Sequence, residues 1–162
     1  MVQKLRERIL RGPGGVVRPL TRDEMVAHAR SVDLAALDLG ACESFQKERY
    51  TRNRVHLNDQ FELVVICWLP GQESSIHDHG ISNCLYLVVD GTMEEELFEA
   101  VPGGKPRRTR ARLWNRGDVM VAAGIDIHRI RNASEERLVT IHIYSPPLDE
   151  HVRHFTPIPT YA

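Results

Sequence analysis

From about Phe45 onward the sequence consists of short β-rich runs that end at glycine, proline or a tight-turn dipeptide. The predicted strands cover residues 61–68, 84–89, 92–99, 107–114, 118–122, 127–131 and 138–144. The pair Asp90-Gly91 is typical of a two-residue hairpin turn, so we expect 92–99 to be the return strand after 84–89. Many short strands at regular spacing predict a mainly β fold of the sandwich or barrel type.

The first 44 residues have a different pattern and are expected to be mostly helical. Thr21 and Glu24 have the spacing of a capping box, and apolar residues recur behind them at helical intervals up to a stop at Gly40. A length of 162 residues suits one domain, and nothing in the sequence marks a second. We therefore expect a single domain over 1–162, with a helical part at 1–44 and a β-barrel at 45–162.

The charge balance argues against several classes of partner. Lys and Arg together number 21, Asp and Glu number 22, and the formal net charge is -1. A nucleic-acid binder normally carries a basic excess, and nothing here favours an anionic membrane surface, so neither partner is expected. The three cysteines cannot close a disulfide framework, and with no secretion signal or long apolar run they indicate a reducing, cytoplasmic location. The near-zero charge is compatible with a monomer.

Two histidines stand out because of their spacing. His77 and His79 flank Asp78 in a stretch expected to be extended, where side chains two residues apart point to the same side. Both imidazoles could therefore bind one metal ion, with Asp78 facing away. On its own, such a pair more often consists of two polar surface residues.

The sequence around these histidines strengthens the metal-site interpretation. Glycine and histidine spacing over 71–91 resembles the first motif of the cupin superfamily, with Cys84 in place of the usual glutamate ligand. Residues 117–132 resemble the second cupin motif. The resemblance implies a small jelly-roll β-barrel with one metal site. Its ligands would be three histidines: His77, His79 and His128.

Four separated segments carry a closer resemblance: 50–53, 74–79 with Cys84, 128–132 and 141–147. In order and spacing they resemble the thiol dioxygenases, and among them the cysteine dioxygenase family. The resemblance implies an Fe(II) enzyme that adds both atoms of O₂ to the sulfur of L-cysteine and forms cysteine sulfinic acid. Three neutral imidazoles also suit Zn, Cu or Ni, so iron follows from the resemblance. Three protein ligands leave coordination positions open, as in catalytic sites.

The same resemblance implies roles for further residues. Arg52 would bind the substrate carboxylate through its guanidinium fork, and Tyr50, two residues away, would contact the same group. Tyr144 would point its hydroxyl at the iron site, and His142 would hydrogen-bond to that hydroxyl. Cys84 and Tyr144 match the residues that form a covalent thioether in animal members of the family, so this chain has both partners of a crosslink.

Several other interpretations stay open from the sequence alone. Dioxygenases of 3-mercaptopropionate typically carry Gln where Arg52 stands, which favours cysteine without excluding the other thiol. A non-enzymatic cupin would bind metal without turnover, and a Zn or Mn cupin isomerase would normally keep the carboxylate ligand that Cys84 replaces. A plain β-barrel with incidental histidines would make the motif matches coincidental. The alternating polar residues of 138–144 fit either a solvated face or the lining of a cavity.

The remaining histidines and cysteines lack motif support. Four histidines are expected at the surface: His28, His56, His151 and His154. Two cysteines are expected to be buried structural thiols: Cys42 and Cys67. The Ser145-Pro146 bond is a candidate for the cis isomer, with trans as the default expectation.

Overall fold

A computed structural model describes residues 18–156 of the chain. Helix α1 covers Arg22–Arg30, and a short 3₁₀ helix covers Gly40–Cys42. The first four strands are β1 (Thr51–Leu57), β2 (Glu62–Trp68), β3 (Asn83–Asp90) and β4 (Thr92–Glu99). The last four are β5 (Arg107–Asn115), β6 (Val119–Ala122), β7 (Ile127–Asn132) and β8 (Leu138–Ser145). The fold is therefore mainly β with an N-terminal helix, as predicted.

The strands form two antiparallel sheets that face each other as a jelly roll. One sheet has five strands in the order β1-β2-β8-β3-β6, and the other has three in the order β5-β4-β7. Each sheet keeps its own edges, so the predicted barrel is a two-sheet sandwich and not one closed ring of hydrogen-bonded strands. The cupin-type jelly roll is confirmed.

The predicted hairpin between β3 and β4 is wrong. Both edges of β3 are occupied, one by β8 and the other by β6, and β4 pairs with β5 and β7 in the opposite sheet. The turn residue Gly91 has a positive φ of 81°, and a Cβ built on it would lie 2.4 Å from the carbonyl oxygen of Arg137. Glycine is thus needed at this turn, as the sequence predicts. The turn does not close a hairpin, however, because it carries the chain from one sheet to the other.

The central strands of the five-stranded sheet, β2, β8 and β3, are buried on both faces, which explains the nearly continuous apolar runs of β2 and β3. Along β2, Leu63 and Val65 belong to a core beneath helix α1, together with Met25. The alternate residues, such as Ile66 and Trp68, belong to a second core between the two sheets. The period of two along a strand therefore separates a helix-covered face from the face that lines the interior of the sandwich.

The N-terminal part is less helical than expected. The capping box is confirmed, because the Thr21 hydroxyl accepts from the Glu24 amide at 3.3 Å and the Glu24 carboxylate accepts from the Thr21 amide at 2.7 Å. Helix α1 nevertheless ends at Arg30, ahead of the predicted stop at Gly40. The Asp33 carboxylate accepts from the Ala35 amide at 3.0 Å, a side-chain turn that competes with helical hydrogen bonds. The expectation for 1–17 lies outside the described residues.

Several local expectations have clear outcomes. The polar stripe of β8 is buried and faces the interior between the sheets, so it lines a cavity and is not solvated. The Ser145-Pro146 peptide bond is cis, contrary to the default. Strand β1 was not identified as a strand, because its alternating charged residues read as a polar segment. No helix within residues 18–156 has the length and apolarity needed to cross a membrane.

Candidate metal centre

The three predicted metal ligands come together where an irregular segment runs along strand β7. The His77 amide donates to the His128 carbonyl at 2.9 Å, and the His128 amide donates back to the His77 carbonyl at 2.9 Å. His79 follows in extended chain, and its amide donates to the Gly124 carbonyl at 2.8 Å. One ring nitrogen from each of the three histidines lies within 4.8 Å of the others.

Hydrogen bonds indicate which ring nitrogens are free to bind a metal. The Nδ1 of His77 lies 2.9 Å from the Ser75 carbonyl, and the Nδ1 of His128 lies 3.3 Å from the Glu95 carboxylate. Both partners accept, so each Nδ1 carries the proton and each Nε2 keeps a lone pair. The Nε2 of His79 faces that of His128 at 3.4 Å, and within residues 18–156 its buried Nδ1 has no partner.

The electrostatics of the group fit a cation. Burial lowers the pKa of His77 to about 3 and lowers that of His79 well below its usual value, so these imidazoles are neutral. Lone pairs of neutral imidazoles that face one another repel unless a positive ion lies between them. The donor set suits a transition metal better than Ca²⁺ or Mg²⁺. Asp78 faces away, as predicted.

Glu95 supports the site and was missed by sequence reasoning. It lies on β4, is fully buried and accepts hydrogen bonds from His128 Nδ1 at 3.3 Å and from Trp114 Nε1 at 3.2 Å. A carboxylate behind a metal-binding imidazole fixes its tautomer and orientation. Three consecutive glutamates, 94–96, hid this role, although the strand period places Glu95 on the same face as the buried Met93.

Tyr144 and His142 on β8 belong to a hydrogen-bonded chain. The Tyr144 hydroxyl lies 3.2 Å from His142 Nδ1, and His142 Nε2 lies 2.9 Å from the Thr140 hydroxyl. Trp68 Nε1 donates to the Thr140 oxygen at 3.1 Å. Burial lowers the pKa of His142 well below its usual value and raises that of Tyr144, so both side chains are neutral.

Arg52 and Tyr50 lie beside this chain. Arg52 Nη1 donates to the Tyr144 hydroxyl at 3.3 Å, and the guanidinium carbon lies 5.3 Å from the centre of the Tyr144 ring. The Tyr50 ring stacks on Trp68, with 4.2 Å between ring centres. A narrow, partly open cavity is lined by the predicted site residues: Tyr50, Arg52, His77, His79, His128, His142 and Tyr144.

Cys84 lies opposite Tyr144 in the register of β3 and β8. It is fully buried, and its Sγ lies 3.9 Å from His142 Nδ1. Burial raises the pKa of this thiol well above its usual value. The thiol therefore lies beside the Tyr144 side chain, and the three-histidine group does not include it.

The structure adds residues that no sequence motif marked. Tyr86 on β3 lines the cavity, and its hydroxyl lies 3.1 Å from His128 Nε2. The Asp78 carboxylate accepts from Arg153 Nε at 2.7 Å and from the Arg153 amide at 3.0 Å. His154 is exposed, as predicted, but its Nδ1 lies 2.8 Å from the Ser75 hydroxyl and its ring stacks on His77. These partners are distant in sequence.

The other unassigned residues are placed as follows. His151 is exposed, whereas His28 and His56 are half-buried. The cysteines are free thiols: Cys67 is fully buried, as expected, and Cys42 is half-buried.

Comparisons with known proteins identify relatives of this chain. Cysteine dioxygenase type 1 of Homo sapiens is 38% identical over 111 residues, which cover 65% of this chain and 55% of the human protein. The enzyme of the same name from Danio rerio is 36% identical over 109 residues, covering 64% of this chain and 54% of that protein. The chain thus spans about half the length of the curated relatives that it matches.

Solved structures support the fold alone. A Klebsiella pneumoniae protein with a double-stranded β-helix domain superposes with a TM-score of 0.62 at 16% identity, covering 75% of this chain and 96% of that chain. A Thermus thermophilus protein gives a TM-score of 0.58 at 20% identity, covering 68% of this chain and 96% of that one. The sequence model of the family Cysteine dioxygenase type I, in contrast, matches residues 22–156, which include every site residue described above. The chain therefore belongs to the cysteine dioxygenase type I family.

Proposed function

We propose that the protein is an Fe(II)-dependent thiol dioxygenase that adds both atoms of O₂ to the sulfur of L-cysteine and releases cysteine sulfinic acid. One observation carries the proposal: the Arg52 guanidinium and the Tyr144 phenol meet in the same small cavity as three converging imidazoles. A cation that recognises a carboxylate thus lies beside a group suited to a redox metal. Family membership supports the same reaction.

The iron would be held by His77, His79 and His128. Bound there, iron(II) would supply the redox chemistry that joins O₂ to a thiol sulfur. Cys84 stands where cupins usually carry a carboxylate ligand, so the protein adds no negative charge at that position. A site of three neutral ligands favours anionic ligands such as a thiolate.

Arg52 is proposed to bind the substrate carboxylate. Its guanidinium matches a carboxylate through two parallel hydrogen bonds, and it projects into the cavity from β1. Tyr50 would close the same side of the cavity, because its ring is held flat against Trp68. The two residues would orient L-cysteine with its thiol toward the three histidines.

The hydrogen-bonded chain on β8 sets the direction of the Tyr144 proton. Trp68 Nε1 only donates, so the Thr140 oxygen accepts there. We propose that the Thr140 hydroxyl directs its own proton to His142 Nε2. His142 Nδ1 then carries a proton and donates to the Tyr144 oxygen, which also accepts from Arg52. The proton of Tyr144 is therefore free to point into the cavity. We propose that it donates to the substrate carboxylate or to oxygen during the reaction.

We also propose the Cys84–Tyr144 thioether. Its formation would join Sγ to a ring carbon of Tyr144 and remove one hydrogen from each residue, with O₂ as the oxidant that takes up the two electrons. The cross-strand register supports it by placing the two residues directly opposite each other.

The test is oxygen uptake by protein loaded anaerobically with Fe(II), given L-cysteine or 3-mercaptopropionate in parallel, with products identified by mass spectrometry. We expect uptake with L-cysteine, cysteine sulfinic acid as the product, and much weaker uptake with 3-mercaptopropionate. A preference for 3-mercaptopropionate would support the proposed thiol dioxygenase activity but contradict the proposal that L-cysteine is the substrate. Stoichiometric iron without uptake of oxygen in either case would favour a metal-binding cupin that is not an enzyme of this kind.

A further inference from the structure

We infer that Tyr86 is a second phenol of the metal centre, whose hydroxyl donates a hydrogen bond to a small anion bound there. The inference deepens the proposed function and rests on its metal site. Tyr86 lies on β3 with its side chain directed between the two sheets, and it lines the cavity. Its hydroxyl oxygen lies 3.1 Å from His128 Nε2 and 3.3 Å from His128 Nδ1.

The hydrogen-bond partners of this hydroxyl change when His128 binds a metal. In the absence of metal, the lone pair of His128 Nε2 can accept the Tyr86 proton. A metal ion would occupy that lone pair, and His128 Nδ1 already donates its own proton to Glu95. The imidazole then has no acceptor left for Tyr86.

Few other protein acceptors lie within reach. Tyr86 is almost completely buried, and among residues 18–156 its hydroxyl hydrogen-bonds the Cys84 thiol besides contacting His128, whereas Glu95 and Tyr144 act on it through their charge. Sulfur is a weak hydrogen-bond acceptor, and a buried hydroxyl without an acceptor is unfavourable. The proton of Tyr86 is therefore best satisfied by a ligand in the cavity.

The surrounding charges identify the class of this ligand. The three-histidine group includes no carboxylate, and Arg52 and the Tyr144 hydroxyl face the same cavity. Tyr86 adds a third donor from the side of His128, on the strand that also carries Cys84. Donors on several sides of a metal select a small anion with more than one acceptor atom.

The matching experiment uses azide as the probe and needs no thiol substrate. Iron(III)-loaded protein is titrated with azide, and binding is followed through the charge-transfer absorption of the iron–azide complex. Tyr86→Phe removes one oxygen atom and keeps the ring, which packs edge-on against His142 at 4.8 Å between ring centres. We expect azide to bind at least about tenfold more weakly to this variant, in line with loss of a hydrogen bond to a charged group.

Two controls separate ligand binding from metal binding and from folding. Iron affinity, measured by competition with a chelator, should be the same in Tyr86→Phe and the wild type. Thr51→Val removes another buried hydroxyl, one that bonds the Ser44 carbonyl away from the cavity, and should leave azide affinity unchanged.

Three results would overturn the inference. Azide affinity within about twofold of wild type in Tyr86→Phe would show that the hydroxyl does not reach the ligand. A loss of iron from the same variant would make Tyr86 a support of the metal site itself. Failure of the iron-loaded wild type to bind azide would remove the anion site. Because no thiol is present, each result is independent of whether the protein oxidises L-cysteine.

Discussion

The Nδ1 atom of His142 lies 3.2 Å from the hydroxyl oxygen of Tyr144, so β8 holds an imidazole and a phenol in hydrogen-bond contact inside the cavity. Residues two apart on a strand share a face, which brings both side chains to the interior. Thr140, two residues earlier on the same face, contacts the other nitrogen of the ring at 2.9 Å. One strand thus provides the phenol, the imidazole beside it and a hydroxyl that contacts the second nitrogen of that imidazole.

Replacement of Thr140 by Val should impair catalysis without loss of metal. The valine has the same shape but cannot donate to His142 Nε2, so the proton of His142 is free to move away from the Tyr144 side. We expect kcat for L-cysteine to fall about tenfold, equivalent to about 1.4 kcal/mol of transition-state stabilisation. Steady-state oxygen uptake measures this, and chelator competition checks that iron affinity is unchanged. Thr140→Ser restores the hydroxyl and should recover most of kcat. Equal kcat values for the serine and valine variants would refute a role of the Thr140 hydroxyl in orienting His142.

Arg52→Gln should weaken binding of substrates that carry a carboxylate. Loss of charge-assisted hydrogen bonds, about 1.5–3 kcal/mol, predicts a rise in KM for L-cysteine of about 10- to 100-fold. Cysteamine has the thiol and amine without the carboxylate, so its turnover should change little. Arg110→Gln, at an exposed position on β5, is the matched control for loss of a positive charge. An equal loss of activity with L-cysteine and with cysteamine would mean that Arg52 acts through its charge in general and does not bind the carboxylate.

His77 and His79 could be paired from their spacing alone, whereas His128 followed from the resemblance to the second cupin motif. His77 and His79 share a side through the period of two, and the alternation of β8 placed Tyr144 and His142 on one face. Whether that face is solvent-exposed or buried depends on the opposite sheet, and the residue pattern of a single strand does not show what packs against it. The same limit explains the error at Gly91, where the turn residue predicts local backbone conformation but not which sheet edge is free.

The residues that sequence reasoning missed depend on contacts between distant segments. Glu95 is one of three consecutive glutamates, and its partner His128 lies on another strand. Tyr86 reads as an ordinary core aromatic within an apolar run. Arg153 meets Asp78 across 75 residues of sequence, at a position where no motif exists. In each case the chemistry arises from tertiary packing.

Glu95→Gln should lower metal affinity. The amide has nearly the same shape as the carboxylate but is neutral, so the proton of His128 Nδ1 would be held more weakly and the imidazole would be a poorer ligand. Loss of such a supporting carboxylate typically costs about 10- to 100-fold in metal affinity. Chelator competition with Fe(II) or Zn²⁺ measures the change. Glu94→Gln, the neighbouring position on the other face of β4, serves as the control. Unchanged affinity in Glu95→Gln would contradict the supporting role.

Repeated turnover should produce a covalent bond between Cys84 and Tyr144. Intact-mass analysis is expected to show a loss of two hydrogen atoms, and peptide mapping should join the fragments that contain these two residues. The Cys84→Ser and Tyr144→Phe variants should each show the mass calculated from their own sequence, without the loss of two hydrogen atoms. Tyr86 also interacts with the Cys84 thiol, so mapping must identify which ring is modified. A crosslink to Tyr86, or an unshifted mass after many turnovers, would disprove the proposed thioether.

The ion pair between Asp78 and Arg153 should stabilise the segment that carries two of the histidines. Asp78 is fully buried between His77 and His79, and it accepts from the Gly80 amide at 3.1 Å as well as from Arg153. Arg153→Met leaves this carboxylate without its counter-charge. Because the Arg153 side chain is itself 63% exposed, we expect a loss of about 2 kcal/mol, below the range for fully buried pairs.

Denaturant unfolding measures the loss, and chelator competition should show weaker metal binding, because the backbone beside both ligands becomes less restrained. The matched control is Arg107→Met. It breaks the exposed ion pair between Arg107, on the edge strand β5, and Glu99 on β4. Its partners are 73% and 46% exposed, so its removal should cost less than about 1 kcal/mol and leave metal affinity unchanged. Equal effects of the two substitutions would mean that the buried carboxylate does not need its arginine, and that backbone amides alone hold the metal-binding segment in place.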